Sequence, residues 1–421
     1  MRKNHARSAV ILFFLTFCIG ATSQSMLLGQ SAAWPQFLGP NRDGVSPAEK
    51  LIARWPSDGP EVLWRAKCGV GMSGIAVSGN LALTMWNSDD GQMVIALNAA
   101  TGEQIWSTSL AGNYENSMGD GPRATPTISG DQVYAFTGDG ILARLKLSDG
   151  SIVWSENVVA SVGGKSAEYG MACSPLVVGD LVVVTAGGQG STVVAVDAAT
   201  GKTRWTSVDG NPGYSSPALL TIHDAKQIVA FTGIGVSGIK PGDGTVLWQY
   251  PFKTPYDCNT ATPIAVNGKI FISAGENHGC VMLEVIKSGD GYSVTEAWES
   301  THIKSVMRNE WQTAALVDGY LYGFDNVGSA GPVTHLTCVD AKTGKTVWRE
   351  NRFGKANLVA AGDKLWITTM KGELVMAMAT TSGYVELGRK QMLGKTRQAP
   401  SIANGRAYLR DDAEVVCIKI D

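Results

Sequence analysis

VVAVDAATGKTRW, from Val193 to Trp205, decides the fold. Its first residues alternate apolar side chains in the manner of a half-buried strand. Thr200-Gly201 then supplies the positive φ that a tight hairpin demands. Trp205 falls on the next strand, on one fixed face, because side chains alternate. The same pattern returns as VIALNAATGEQIW ending at Trp106, LARLKLSDGSIVW at Trp154, GIKPGDGTVLW at Trp248 and LTCVDAKTGKTVW at Trp348. In these five copies Gly102, Gly150, Gly201, Gly244 and Gly344 stand four residues before the Trp. A looser copy, VMLEVIKSGDGYSVTEAW, ends at Trp298. Self-similarity at about 40–50 residues marks a propeller or solenoid.

A second signal precedes each motif: ATPTISGDQVYAF from Ala124, CSPLVVGDLVVV from Cys173, ATPIAVNGKIFI from Ala261 and QAPSIANGRAYL from Gln398. Each reads as strand, Gly-Asp or Asn-Gly turn, strand. One unit is therefore four antiparallel strands, a propeller blade. Counting from Ser73 gives seven full units. In the seventh, Leu387 stands where the Trp is expected, four residues after Gly383. An eighth unit begins at Gln398 and ends with VVCIKID at Asp421, after three strands. PEVLW, ending at Trp64, is an unattached strand that supplies the fourth and removes both exposed edges. The expectation is an all-β, eight-bladed propeller over residues 60–421, closed by its N-terminal strand. The repeat tryptophans are read as packing between blades, where a large ring fills the gap between sheets.

The chain opens with MRKNHAR, an apolar run AVILFFLTFCIGA and a small polar stretch to Ala33. That pattern is a secretory signal peptide over residues 1–33. The run is shorter than the roughly 20 residues of a membrane span, so no span is expected in the mature chain. Residues 34–59, WPQFLGPNRDGVSPAEKLIARWPSDG, hold too many turn residues for a long helix or strand and are read as an ordered arm lying over the ring. Export points to a periplasmic or extracellular protein. Six cysteines remain after the signal (Cys68, Cys173, Cys258, Cys280, Cys338, Cys417), scattered and with no CxxC, which favours buried thiols. A net charge of −2 gives no argument for nucleic acid.

Blades of the form A-x-D/N-A-x-T-G-x-x-x-W, as in ALNAATGEQIW and AVDAATGKTRW, resemble the pyrroloquinoline-quinone (PQQ) repeat family. The WPQFLGPNRDGVS arm resembles the leader of a group of exported bacterial PQQ-like propellers. The resemblance implies one of two roles. Quinoprotein dehydrogenases hold PQQ and calcium at the propeller axis, whereas the propeller subunit of the barrel-assembly machinery is a cofactor-free scaffold. This chain has no adjacent cysteine pair, no CxxCH and none of the long insertions of the dehydrogenases.

A site is expected where the loops entering the innermost strands crowd round one mouth of the axis. Arg123 and Arg397 lie three residues before Pro126 and Pro400, Tyr214 three before Pro217, and Trp311 three before Ala314. Neighbouring loops add Asp120, Tyr169, Asp257, Asn259, Arg308, Asn309 and Glu310. Arginines at such places pair carboxylates, so Arg123, Arg308 and Arg397 are candidates for a PQQ-like ligand, with Tyr214 and Trp311 beside it. Asp257, Asn259 and Glu310 are hard oxygen donors suited to calcium, and Asp257 or Glu310 would be the base of an oxidation. The leading expectation is a non-catalytic binding or scaffold module with a protein partner in the cell envelope. The alternatives are a PQQ- and calcium-dependent dehydrogenase of alcohols or sugars, and a polysaccharide-binding module using Tyr169, Tyr214 and Trp311.

Overall fold

The computed structural model describes residue 1, residues 33–47 and residues 50–421, so the expected signal peptide lies outside the described residues apart from its two ends. Eight antiparallel sheets form the ring, seven of four strands and one of five. Blade 1 is Ala76–Ser78, Leu81–Ser88, Gly91–Asn98 and Gln104–Ala111. Blade 8 joins Ser401–Ala403, Arg406–Arg410 and Glu414–Lys419 to the N-terminal strand Val62–Lys67, with Trp64 opposite Cys417. The all-β, eight-bladed ring and its closure are as the repeats imply. Among the described residues no helix is long and apolar enough to cross a membrane.

The repeat motif works between blades as well as within them. Asp197 Oδ1 accepts the N–H groups of Ala199 and Thr200, which folds the turn, and Asn98 and Asp340 do the same in their blades. The glycine that follows has positive φ (78° at Gly102, 73° at Gly201). It also leaves room for the tryptophan of the preceding blade. A Cβ on Gly102 would stand 2.5 Å from Trp64, and one on Gly150 would stand 2.4 Å from Trp106. Each such indole N–H then donates to the neighbouring turn, from Trp64 to Ala99 O, Trp106 to Leu147 O, Trp154 to Ala198 O and Trp298 to Ala341 O. Trp248 differs. Its indole donates to Gln227 Oε1 within its own blade, because the next blade carries a longer hairpin, Gly279–Ser288 with Gly291–Thr301.

Blade 7 corrects the expectation at Leu387. In blade 1 the bulge pairs Trp106 with Ala96 and Gln104 with Leu97, passing over Ile105. In blade 7 Gly388 pairs with Met376 and Glu386 with Ala377, so Leu387 is the residue passed over. Gly388, not Leu387, occupies the tryptophan position, because two further residues lengthen the preceding turn. The space above it is filled from elsewhere: Trp55 of the arm lies 2.4 Å from where a Gly388 Cβ would be, against Trp366 at 5.9 Å between ring centroids.

The arm does not simply lie over the ring. Trp34 exchanges backbone hydrogen bonds with Val77, and Pro35 O accepts from Ile128, both on innermost strands. Val45–Ser46 then pairs in parallel with Ala360 and Ala361 as the fifth strand of blade 7. The arm therefore enters the axial channel. The six cysteines from Cys68 to Cys417 are free thiols, four of them buried.

Candidate functional site

Every blade contributes to one axial cavity of about 510 Å³, a volume typical of small-ligand sites. Its walls come from the loops that lead into the innermost strands, where the backbone has left one sheet and not yet joined the next. Its floor is Trp34, Phe37 and Leu38 of the arm. The arm thus occupies part of the axial channel and lines the cavity.

Arg42 fixes that floor. It is 2% exposed and has no carboxylate partner among the described residues. Its guanidinium donates to the carbonyls of Ser174, Pro175 and Pro217, which lead into blades 3 and 4, and to Gln36 Oε1. Burial lowers its pKa to about 10. Nothing in the blade repeat announces this role, since the arm lies outside the repeat. Only the residue types of PNRDG, a turn carrying a long cation, are a local signal.

Six of the expected site residues line the cavity: Arg123, Tyr169, Tyr214, Glu310, Trp311 and Arg397. Arg123 is held by the carbonyls of Gly119 (2.7 Å), Gly121 and Tyr169 (2.8 Å), with its guanidinium 4.5 Å above the Tyr114 ring. Tyr214 stacks on Tyr169 at 5.8 Å, and its hydroxyl accepts the Tyr169 N–H. Burial pushes the Tyr214 phenol up. Glu310 takes the Lys355 ammonium at 2.9 Å and 2.8 Å on its two oxygens and the Asn326 amide at 3.2 Å. Burial raises the Glu310 carboxyl, and the Lys355 hydrogen bond opposes that rise. The same ammonium lies 4.3 Å from the Trp311 ring centroid, and the Arg397 guanidinium lies 5.0 Å from it. Arg397 Nη1 donates to Met118 O at 2.6 Å, whereas its Nε and Nη2 have no hydrogen-bond partner among the described residues.

Three expected residues stand elsewhere. Arg308 is 2% exposed and forms a two-pronged pair with Asp325 at 2.6 Å and 2.9 Å, inside blade 6. Asn259 is wholly buried, its amide donating to Thr232 O and Phe252 O and its oxygen accepting from Thr254. Asp257 accepts the Asn211 amide at 2.6 Å on the rim. Asp257, Asn259 and Glu310 thus have separate partners, and only Glu310 reaches the cavity. Among the described residues no three His, Cys, Asp or Glu side chains come together to hold a metal. The calcium that accompanies PQQ does not fit this donor set. Burial, with Glu276 and Glu310 nearby, pushes the thiol of Cys258 in the cavity wall up to about 12. Asn357 and the arm residues, which line the pocket, and Lys355, which meets Glu310 and Trp311 of its wall, were not legible as site residues, because each makes its contact once.

The family model described as outer membrane protein assembly factor BamB matches residues 51–167, 142–325 and 333–421. BamB of Yersinia pestis is 19% identical over 317 residues, 73% of this chain and 76% of that protein. Quinohemoprotein alcohol dehydrogenase ADH IIB of Pseudomonas putida is 30% identical over 165 residues, 37% of this chain and 23% of the enzyme. Among solved structures, BamB of Moraxella catarrhalis superposes with a TM-score of 0.59 at 15% identity, over 85% of this chain and 97% of that one. Quinohemoprotein alcohol dehydrogenase of Comamonas testosteroni gives 0.67 at 15% identity, over 92% and 80%. At such identities the superpositions carry the fold alone.

Proposed function

From the premise that this chain belongs to the family described as outer membrane protein assembly factor BamB, we propose that it is an exported, non-catalytic propeller that holds a protein partner in the cell envelope. The ring face bearing the axial mouth is the working face. The observation that carries this reading is the state of the axial residues: the arm occupies part of the channel, Lys355 neutralises Glu310, and Arg123 is tied to three carbonyls. A site so braced is built to hold shape. An oxidation would require a free base and a metal-bound quinone, and the donor set supports neither. Relatives named for outer membrane protein assembly make a scaffold role the natural one for this chain.

The mouth face also exposes apolar side chains, Tyr256 at 62% and Ile303 at 83%. Photo-cross-linkers placed at these two positions in the intact envelope test the reading, with Asp224 and Lys342 in turns on the opposite face as controls. A discrete cross-linked protein from the mouth face, and none from the control face, is the expected result. Equal or absent products at both faces, combined with PQQ-dependent alcohol oxidation by the purified protein, would overturn it.

A further inference from the structure

The Lys355 ammonium has the surroundings of a hard cation. Both oxygens of Glu310 face it, at 2.9 Å and 2.8 Å, Ala330 O lies 2.6 Å away, and the Trp311 ring lies 4.3 Å away. Paired carboxylate oxygens with a backbone carbonyl are donors of the kind that hold calcium. Here they hold a cation tethered to the chain. Lys355 therefore satisfies Glu310, while Glu276, the second carboxylate in the cavity wall, accepts from the Ser329 hydroxyl and the Ala330 N–H.

The remaining cation is differently placed. Arg397 has one nitrogen engaged, by Met118 O, while Nε and Nη2 are without partners among the described residues. Two adjacent guanidinium nitrogens are the fork that takes a carboxylate by two parallel hydrogen bonds. Around it the cavity is mostly apolar and aromatic, with Trp34 and Phe37 as floor and Tyr169, Tyr214 and Met72 in the wall.

We propose that the axial cavity is a metal-free site for a carboxylate carried on an apolar body, in which Lys355 stands in for a divalent cation and Arg397 takes the ligand's carboxylate. This deepens the binding-module reading and rests on it. Two sources share the chemistry, a free aryl- or alkyl-alkanoic acid and the C-terminus of a polypeptide.

Calorimetric titration of the purified protein separates them, using 3-phenylpropanoate, N-acetyl-leucyl-phenylalanine and the C-terminal amide of that dipeptide. The acids bind, the amide does not, and neither EDTA nor added calcium changes the affinity. Binding of the peptide acid alone identifies a protein C-terminus as the source, and equal binding identifies small organic acids. Arg397→Gln weakens binding at least tenfold, Arg397→Lys less so, with the melting temperature of each variant confirming a folded ring. For the tethered cation, Lys355→Met and Lys355→Gln acquire terbium luminescence sensitised by Trp311, which the parent protein lacks. Absence of acid binding, dependence on calcium, unchanged binding in folded Arg397→Gln, or terbium signals equal in parent and Lys355 variants would each overturn the proposal. None of these results depends on a partner cross-linking to the mouth face, so failure here is distinguishable from failure of the scaffold reading.

Discussion

Arg42 is a buried cation with no buried anion, and its neighbours explain why it is tolerated. Carbonyl oxygens at the ends of two blades point into the axis, Pro175 O also accepting from the Thr127 hydroxyl at 2.6 Å, and the planar guanidinium reaches all three at once. Arg42→Ala removes the charged donor shared by the three carbonyls and leaves Pro217 O without it, and the expected cost is about 3 kcal/mol, read from the urea midpoint at unchanged m. Arg42→Lys recovers only part, since one ammonium cannot span the same fork. The histidines carry a pH effect. Burial lowers the His278 pKa, with His302 adding to it, and burial followed by Arg349 lowers that of His335. An unfolded chain then binds more protons than the folded one below about pH 6.5, so stability falls as the pH drops through that value toward the lower folded values. A melting curve at pH 5.5 should lie below one at pH 7.5, and His278→Gln should narrow the gap. Equal melting temperatures in the parent protein would contradict this.

At the scale of the element, one glycine and one tryptophan define a blade boundary, and blade 7 shows that the boundary matters more than the motif. Trp55 comes from the arm to the place above Gly388 that the repeat elsewhere fills from the strand. Trp55→Ala is expected to cost about 3–5 kcal/mol, as for other buried large-to-small changes. Gly388→Ala is expected to cost about 1–3 kcal/mol in the parent chain, where the new methyl meets the indole. In the Trp55→Ala background the same change should cost little, and that non-additivity is the signature of direct contact. Additive costs would show that the arm is not seated there. The repeat was legible because its two demands, positive φ at the turn and a ring on the following strand, are local and recur. Trp55 was not legible, because it meets a requirement of residue 388 from a distance and does so once.

For the whole molecule, the eight-blade count and the closure by Val62–Lys67 followed from bookkeeping of strands that no sheet could leave unpaired. The mouth was legible too, since position within the repeat maps onto position around the axis. That is why Arg123, Tyr214, Trp311 and Arg397 meet in one cavity. Residue type alone was a poorer guide. Arg308 and Asn259 have suitable chemistry, but they are turned into the blades, where Asp325 and nearby carbonyls take them. The floor came from the arm, whose path no periodicity marks. Removing residues 34–47 should open the axis and lower the melting temperature by several degrees, through loss of the Arg42 bonds and the fifth strand of blade 7. Proteolysis at the mouth loops is the companion measurement, with faster cleavage expected in the shortened chain.

We propose that this ring, though it superposes on those of quinone enzymes, works without a metal-bound quinone. Calorimetric titration of the purified protein with PQQ in the presence of calcium tests it most directly. We expect no calcium-dependent heat of quinone binding, with any heat from PQQ unchanged by adding or chelating the metal. Calcium-dependent binding at micromolar concentration or tighter, lost on changing Glu310 to Gln, would contradict it and return the axis to redox chemistry.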